Sequence, residues 1–307
     1  MSPNATTGVL LMAYGTPDSL QDVEAYYTHI RGGRPPGDEL LEGLRERYRA
    51  VGGRTPLSEI SEATRAALET RLSRDGHFRV VLGMKHWRPW IKDAVAVLAG
   101  EDIHAAIGLV LAPHYSSMSI AAYYRAVAMA QQELGASIAI DQIESWHLHP
   151  PYLRSVARRV AEKLAEFPDS SRVTVVFTAH SLPQKIVQSG DPYPEQLRET
   201  SEALAADLGL KHWRFSYQSA GRTEDPWLGP DILDTLQLLA DSGVRDVLAA
   251  PIGFVSDHLE IFYDIDREAA ELAGKRKVRL LRTDSLNASP DFIEALADLV
   301  LARSTGA

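Results

Sequence analysis

One phrase occurs twice in the chain, and it limits the folds open to it. An apolar run, Gly8-Val9-Leu10-Leu11-Met12-Ala13, leads into Tyr14-Gly15-Thr16-Pro17. A second, β-branched run, Val173-Thr174-Val175-Val176-Phe177, leads through Thr178 into Ala179-His180-Ser181-Leu182-Pro183. Later in each half another apolar run ends in Ala-Pro: Leu109-Val110-Leu111-Ala112-Pro113 in the first, Val247-Leu248-Ala249-Ala250-Pro251 in the second. The shared order of strand, Ala-x-x-x-Pro turn, later strand and Ala-Pro turn predicts an internal duplication, two similar α/β units in tandem. Short continuous apolar runs read as strands buried on both faces, and their alternation with helical segments makes the sheets parallel. Boundaries follow at 1–142 for the first unit, 143–288 for the second, and 289–307 for a last helix expected to pack back on the first unit.

The two halves differ in length. The spacing from Ala13 to Ala112 is 99 residues and that from Ala179 to Ala250 is 71, so the first half carries 28 more. Residues 30–56 account for them: a Gly/Pro-rich break, a helix over 38–50 with Leu40, Leu41 and Leu44 on one side, and Gly52-Gly53-Arg54-Thr55-Pro56. This insert holds Arg31, Arg34, Arg45, Arg47, Arg49 and Arg54 against Asp38, Glu39, Glu42 and Glu46, so it is locally basic in a chain of net charge −9. It is either a solvated helix or an anion-binding flap. The overall negative charge argues against nucleic acid as a partner. No apolar run reaches the length of a membrane span and no signal-peptide pattern opens the chain, so no integral membrane association and a cytoplasmic setting are expected. With no cysteine among 307 residues, disulfides, thiolate metal sites and cysteine-held iron–sulfur clusters are excluded.

A single histidine is ordinarily structural, but His180 falls at the carboxyl end of a strand, the edge where open α/β sheets bind ligands. A helix is expected over 258–272, opened by Asp257-His258-Leu259-Glu260. On it Glu260, Asp264 and Glu268 are spaced i, i+4, i+8 and share one face. Such a row is either a solvated acidic stripe or a path for a divalent cation or protons, with Glu260 at its inner end facing His180. One His and one carboxylate are too few for a closed structural zinc site. There is no HExxH motif, no nucleophile elbow and no GxGxxG. The residues suit a site that handles a metal briefly, with open coordination positions and a base nearby. The long loop 218–230 and the aromatics Tyr14, Tyr26, Tyr123 and Trp227 can wall a flat apolar ligand, or else belong to the core.

The motifs together resemble the ferrochelatase family. They are Met12-Ala13-Tyr14-Gly15-Thr16-Pro17, Tyr26-Tyr27-Thr28-His29-Ile30-Arg31-Gly32-Gly33-Arg34-Pro35, Ala112-Pro113-His114-Tyr115-Ser116, Ala179-His180-Ser181-Leu182-Pro183, Gly190-Asp191-Pro192-Tyr193-Pro194, Asp225-Pro226-Trp227-Leu228-Gly229-Pro230 and Gly253-Phe254-Val255-Ser256-Asp257-His258-Leu259-Glu260. They run in order over nearly the whole chain. The nearer resemblance is to the bacterial branch that uses coproporphyrin III, in which a tyrosine follows the first strand as Tyr14 does. The resemblance implies an α/β fold of two tandem Rossmann-like parallel-sheet domains, chelatase-like, with a porphyrin cleft between them. It implies insertion of Fe²⁺ into coproporphyrin III, giving Fe-coproporphyrin and two protons in haem biosynthesis. By motif, His180 and Glu260 are the expected catalytic metal-site pair, with Asp264 and Glu268 as a metal or proton relay. Tyr14 would meet the metal from the opposite face, and Arg31, Arg47, Tyr48, Thr55 and Tyr123 would contact the porphyrin. Thr55 stands where the family pattern has Ser; both supply a hydroxyl. The expected partners are coproporphyrin III, Fe²⁺ and a downstream haem-pathway enzyme, for a monomer with no permanently bound cofactor and no iron–sulfur cluster. Alternatives are a protoporphyrin IX ferrochelatase, a chelatase for another tetrapyrrole or metal such as cobalt, and a non-catalytic porphyrin carrier.

Overall fold

The computed structural model describes residues 6–221 and 225–304. By internal packing the chain divides into two compact units, Met1–Trp146 with Ser256–His258 and Asn287–Ala307, and His147–Val255 with Leu259–Leu286.

The first unit is built on a four-stranded parallel sheet of β1 (Thr7–Ala13), β2 (Phe78–Met84), β3 (Ala105–Val110) and β4 (Ala139–Ile143), in the order β2-β1-β3-β4. β1 is central and its Val9, Leu10, Leu11 and Met12 are wholly buried, as a strand covered on both faces requires. Its helices are α1 (Val23–Ile30), α2 (Asp38–Ala50), α3 (Leu57–Leu72), α4 (Ile91–Gly100) and α5 (Ile120–Leu134). One core joins Leu10, Met12 and Val110 of the sheet to Val95 and Leu98 of α4 and Val127 of α5.

The second unit repeats the plan. Its strands β5 (Thr174–His180), β6 (Trp213–Gln218), β7 (Asp246–Pro251) and β8 (Arg279–Arg282) are parallel and ordered β6-β5-β7-β8. Its helices are α6 (Pro150–Leu164), the short α7 (Lys185–Gln188), α8 (Tyr193–Asp207), α9 (Ile232–Asp241), a π-helix (Ile261–Ala269) and α10 (Ala270–Lys275). Val176, Val247, Ile232, Leu236 and Ile265 pack as its core. Counted within each unit, the strand order is 2-1-3-4 both times. The duplicated phrase thus falls on the same structural position, the end of the central first strand. The order reverses between the first and third strands, so the loops leaving those two flank a topological switch point in each unit. The last helix, α11 (Pro290–Ser304), belongs to the first unit, where Arg71 of α3 meets Glu294 at 2.7 Å.

One expectation needs correction. The helix anticipated over 258–272 is not an α-helix throughout: residues 261–269 form a π-helix with i→i+5 bonding and only then does α10 begin. Periodicity could not separate the two, because residues four apart stay neighbours in either. β5 runs through His180, since Ala179 and His180 pair in the ladder with Tyr217 and Gln218. α1 starts only at Val23, because residues 19–22 close a turn in which Ser19 donates to the Asp22 carboxylate at 2.5 Å.

Candidate metal centre

His180 ends β5 with its backbone held on both sides. Tyr193 of α8 donates to its carbonyl at 2.9 Å, and the next amide, Ser181 N–H, donates to Gln218 at 2.7 Å. The imidazole Nδ1 is in hydrogen-bond contact with the Ser181 carbonyl. A carbonyl only accepts, so Nδ1 carries a proton and Nε2 is the atom left for chemistry. Nε2 lies 3.3 Å from Glu260 Oε1, and both side chains are about 30% exposed, at 31% and 30%. Glu260 arrives from β7 through residues 251–260 and caps the π-helix. His180 and Glu260 therefore leave the two strands that flank the second unit's switch point. The rings of Trp227 and Phe254 lie 6.3 and 6.4 Å from that of His180. Segment 226–228 is laced to 181–184 through Gln184 N–H to Pro226, Leu228 N–H to Leu182 and Ser181 Oγ to Leu228. Residues 222–224 of the long loop lie outside the described residues.

Burial opposes a charge on His180, yet the Glu260 charge and hydrogen bond, the Ser181 carbonyl and the Asp264 charge outweigh it and push its pKa up to about 9. The resting pair is an imidazolium donating to a carboxylate. Once the proton leaves, the Nε2 lone pair and the Glu260 oxygen become two adjacent donors to a cation. Among the described residues no group of three or more His, Asp or Glu side chains could hold a metal ion. A pair of this kind suits passage better than storage. Behind Glu260, Asp264 is buried and accepts from the Ser219 hydroxyl, while Glu268 is half-exposed.

The remaining candidates lie in the first unit. Tyr14 follows β1 and is 44% exposed, its ring 4.6 Å from that of His86. Gly15 holds φ +95 there, and a Cβ on it would stand 2.8 Å from the Trp87 backbone nitrogen, so only glycine fits. Tyr123 is buried under Lys85, whose ammonium sits 5.1 Å from the ring centre. Burial pushes the Tyr123 phenol up, and it also lowers Lys85 to about 8 with help from Arg125. Burial, Lys85 and His29 together keep His86 neutral with a pKa of about 3, and His29 Nδ1 lies 3.1 Å from His86 Nδ1. This imidazole and ammonium cluster was not anticipated; its position at the end of β2 was the available signal.

The insert divides. Tyr48 and Thr55 are buried, and both hydroxyls meet Thr16 Oγ1, at 3.1 and 3.0 Å. They fasten α2 to the loop after β1. Leu41 and Tyr48 are the fully buried residues of α2, with Leu40 and Leu44 half-buried, and burying Leu41 contributes on the order of 1.5–3 kcal/mol. Arg45 pairs with Glu24, Arg49 with Glu42 and Arg54 with Glu59. Arg31 and Arg34 are exposed and Arg47 is half-buried.

Comparison with known proteins accords with this arrangement. The SirB chelatase from Bacillus subtilis, solved with Fe³⁺, superimposes with a TM-score of 0.60 over 98% of each chain at 12% identity, which shows the fold alone. A ferrochelatase of Herpetosiphon aurantiacus is 46% identical over 301 residues, 97% of this chain and 99% of its own. The coproporphyrin III ferrochelatase of Geobacillus kaustophilus is 44% identical over 304 residues, 97% of this chain and 96% of its own. The ferrochelatase family profile matches residues 6–304. Among the described residues no helix is long and apolar enough to cross a membrane. With two tandem α/β units, a His–Glu pair at the sheet edge of the second, and a family match over nearly its full length, the chain belongs to the ferrochelatase family, whose members insert metal into porphyrins.

Proposed function

We propose that this chain inserts Fe²⁺ into coproporphyrin III, producing Fe-coproporphyrin and two protons, as a cytoplasmic monomer that hands its product to a downstream haem-pathway enzyme. The observation that carries the reading is the His180 Nε2–Glu260 Oε1 separation of 3.3 Å at the end of β5. A planar porphyrin resists metal entry because pyrrole protons occupy its centre; bending the ring exposes the nitrogen lone pairs, and binding energy at the periphery supplies the strain. Neutral His180 accepts a pyrrole proton or ligates Fe²⁺, two roles that compete for one lone pair. Glu260 takes the complementary role and passes protons or metal to Asp264 and Glu268. In this reading Tyr14, Arg31, Arg47, Tyr48, Thr55 and Tyr123 contact the porphyrin, and the bonds of Tyr48 and Thr55 to Thr16 hold α2 in place for that contact.

Coproporphyrin III carries four propionates where protoporphyrin IX carries two. Half-buried Arg47 favours the more anionic ring, because charge-assisted pairs at partly buried positions reward each added carboxylate, and exposed Arg31 and Arg34 add a weaker attraction that salt screens. The similar Geobacillus kaustophilus enzyme is named for coproporphyrin III, which supports the same choice. The test is anaerobic steady-state absorbance with Fe²⁺ and each porphyrin under matched detergent. A clearly higher kcat/KM for coproporphyrin III is expected, shrinking in Arg31→Ala and with added salt. Equal or reversed efficiencies would mean that the arginines form only a solvated face.

A further inference from the structure

We propose that Gln218 is a positioning residue for metal insertion, a bracket that sets the distance between His180 and Glu260 through its contacts to Thr178 and to the start of the π-helix. The inference rests on reading His180 and Glu260 as the metal-handling pair. Gln218 ends β6 directly beside His180 in the ladder and is fully buried. Besides a long 3.5 Å contact from Nε2 to Ser219 Oγ, its side chain reaches two other elements. Nε2 donates to the Glu260 carbonyl at 3.2 Å, and Oε1 accepts from Thr178 Oγ1 at 2.7 Å. The amide can be oriented from chemistry alone: the Glu260 carbonyl can only accept, so the nitrogen must face it, and the Thr178 hydroxyl must then donate to the oxygen.

Three elements meet in this one side chain. Thr178 lies two residues before His180 on β5, so it shares the rigid ladder that carries the imidazole. Glu260 caps the π-helix, so holding its carbonyl fixes where that helix begins and where its carboxylate points. The next residue extends the bracket by one turn. Ser219 adopts φ +61, a left-handed conformation uncommon for a residue with a side chain, and its hydroxyl donates to the Asp264 carboxylate. Gln218 and Ser219 thus hold the first two members of the carboxylate row, Glu260 by its backbone and Asp264 by its side chain. The His180 ring nitrogens meet the Ser181 carbonyl and Glu260, so the role assigned to Gln218 and Ser219 is geometric.

The test compares Thr178→Val with Thr178→Ser. Valine keeps the shape but removes the donor to Gln218; serine keeps the donor. Metal insertion is measured anaerobically with Fe²⁺, resolving kcat and the KM for metal, alongside porphyrin affinity by fluorescence and thermal midpoint. Thr178→Val is expected to lose roughly tenfold or more in kcat/KM for metal, because displacing a catalytic group by a fraction of an ångström is costly. Porphyrin affinity stays as in the wild type, and Thr178→Ser restores most of the loss. Gln218→Glu is a second probe, since it keeps the acceptor for Thr178 but sets a carboxylate against the Glu260 carbonyl; the same metal-side loss is expected. His180→Ala serves as the control. Wild-type metal kinetics in Thr178→Val and Gln218→Glu, with His180→Ala inactive, overturn the bracket alone. Equal losses in the valine and serine variants that follow the thermal midpoint also overturn it, as a purely structural effect. Normal turnover in His180→Ala overturns the reading of the site on which it rests.

Discussion

Gly253→Ala measures how tightly the two arms of the metal centre are pressed together. Gly253 lies two residues beyond β7 on the path to Glu260, and its N–H donates to the Thr178 carbonyl at 3.1 Å. A Cβ placed on it would stand 2.4 Å from Ala179 Cβ and 2.8 Å from Ala179 Cα. Carbon atoms pack at about 3.5–4.0 Å, so the two segments must separate by roughly 1 Å. Ala179 cannot easily yield, because β5 is the central strand and is bonded to β6 and β7. The displacement therefore goes into residues 252–260 or into His180 itself, and either widens the 3.3 Å pair. Overpacking of this kind costs about 1–3 kcal/mol, a fall of several degrees in Tm. A misplacement near 1 Å at a catalytic centre costs about 10²-fold in rate. The assay is Fe²⁺ insertion at saturating porphyrin with Tm measured in parallel. The variant should stay folded, bind porphyrin normally and turn over about 10²-fold more slowly. Wild-type Tm and turnover would refute the reasoning, since they would show that the segments have room to spare.

Other outcomes follow from the same geometry. His180→Ala should nearly abolish insertion while porphyrin binding survives, checked by turnover and fluorescence titration. Glu260→Gln should cost far more activity than Glu268→Gln, and any defect at Glu268 should show mainly as a higher KM for Fe²⁺; equal, negligible effects at both would favour a solvated stripe. Because His180 titrates near 9 when folded against 6.5 for the free side chain, Fe²⁺ must displace a proton there; apparent metal affinity should rise with pH up to about 9, and Glu260→Gln should move that rise to lower pH. The sign for stability is the opposite: the raised pKa contributes stability that is fully present below about 6.5 and is lost as pH rises through about 9, which urea midpoints across that range would read.

The repeated Ala-x-x-x-Pro phrase was enough to predict the tandem α/β plan, because it marks where strands end, and the hydrophobic runs before it are long enough to be buried on both faces. The same logic singled out His180 at a strand terminus, and helical spacing singled out Glu260 at the head of the carboxylate row. Sequence motifs alone also pointed to the family. The π-helix was not legible, since Glu260, Asp264 and Glu268 lie on one side of either helix type and only the backbone bonding distinguishes them. The meeting of Tyr48 and Thr55 with Thr16 was not legible either, because it depends on how α2 folds onto the loop after β1, an encounter across 32 and 39 residues. Gln218 carried no signal of its own. Its importance arises because parallel pairing sets it beside His180 while the chain from β7 brings the Glu260 carbonyl to its amide. Local periodicity records which residues a strand or helix must bury. Which polar groups from distant strands share one buried hydrogen bond is decided only when the sheet registers are set.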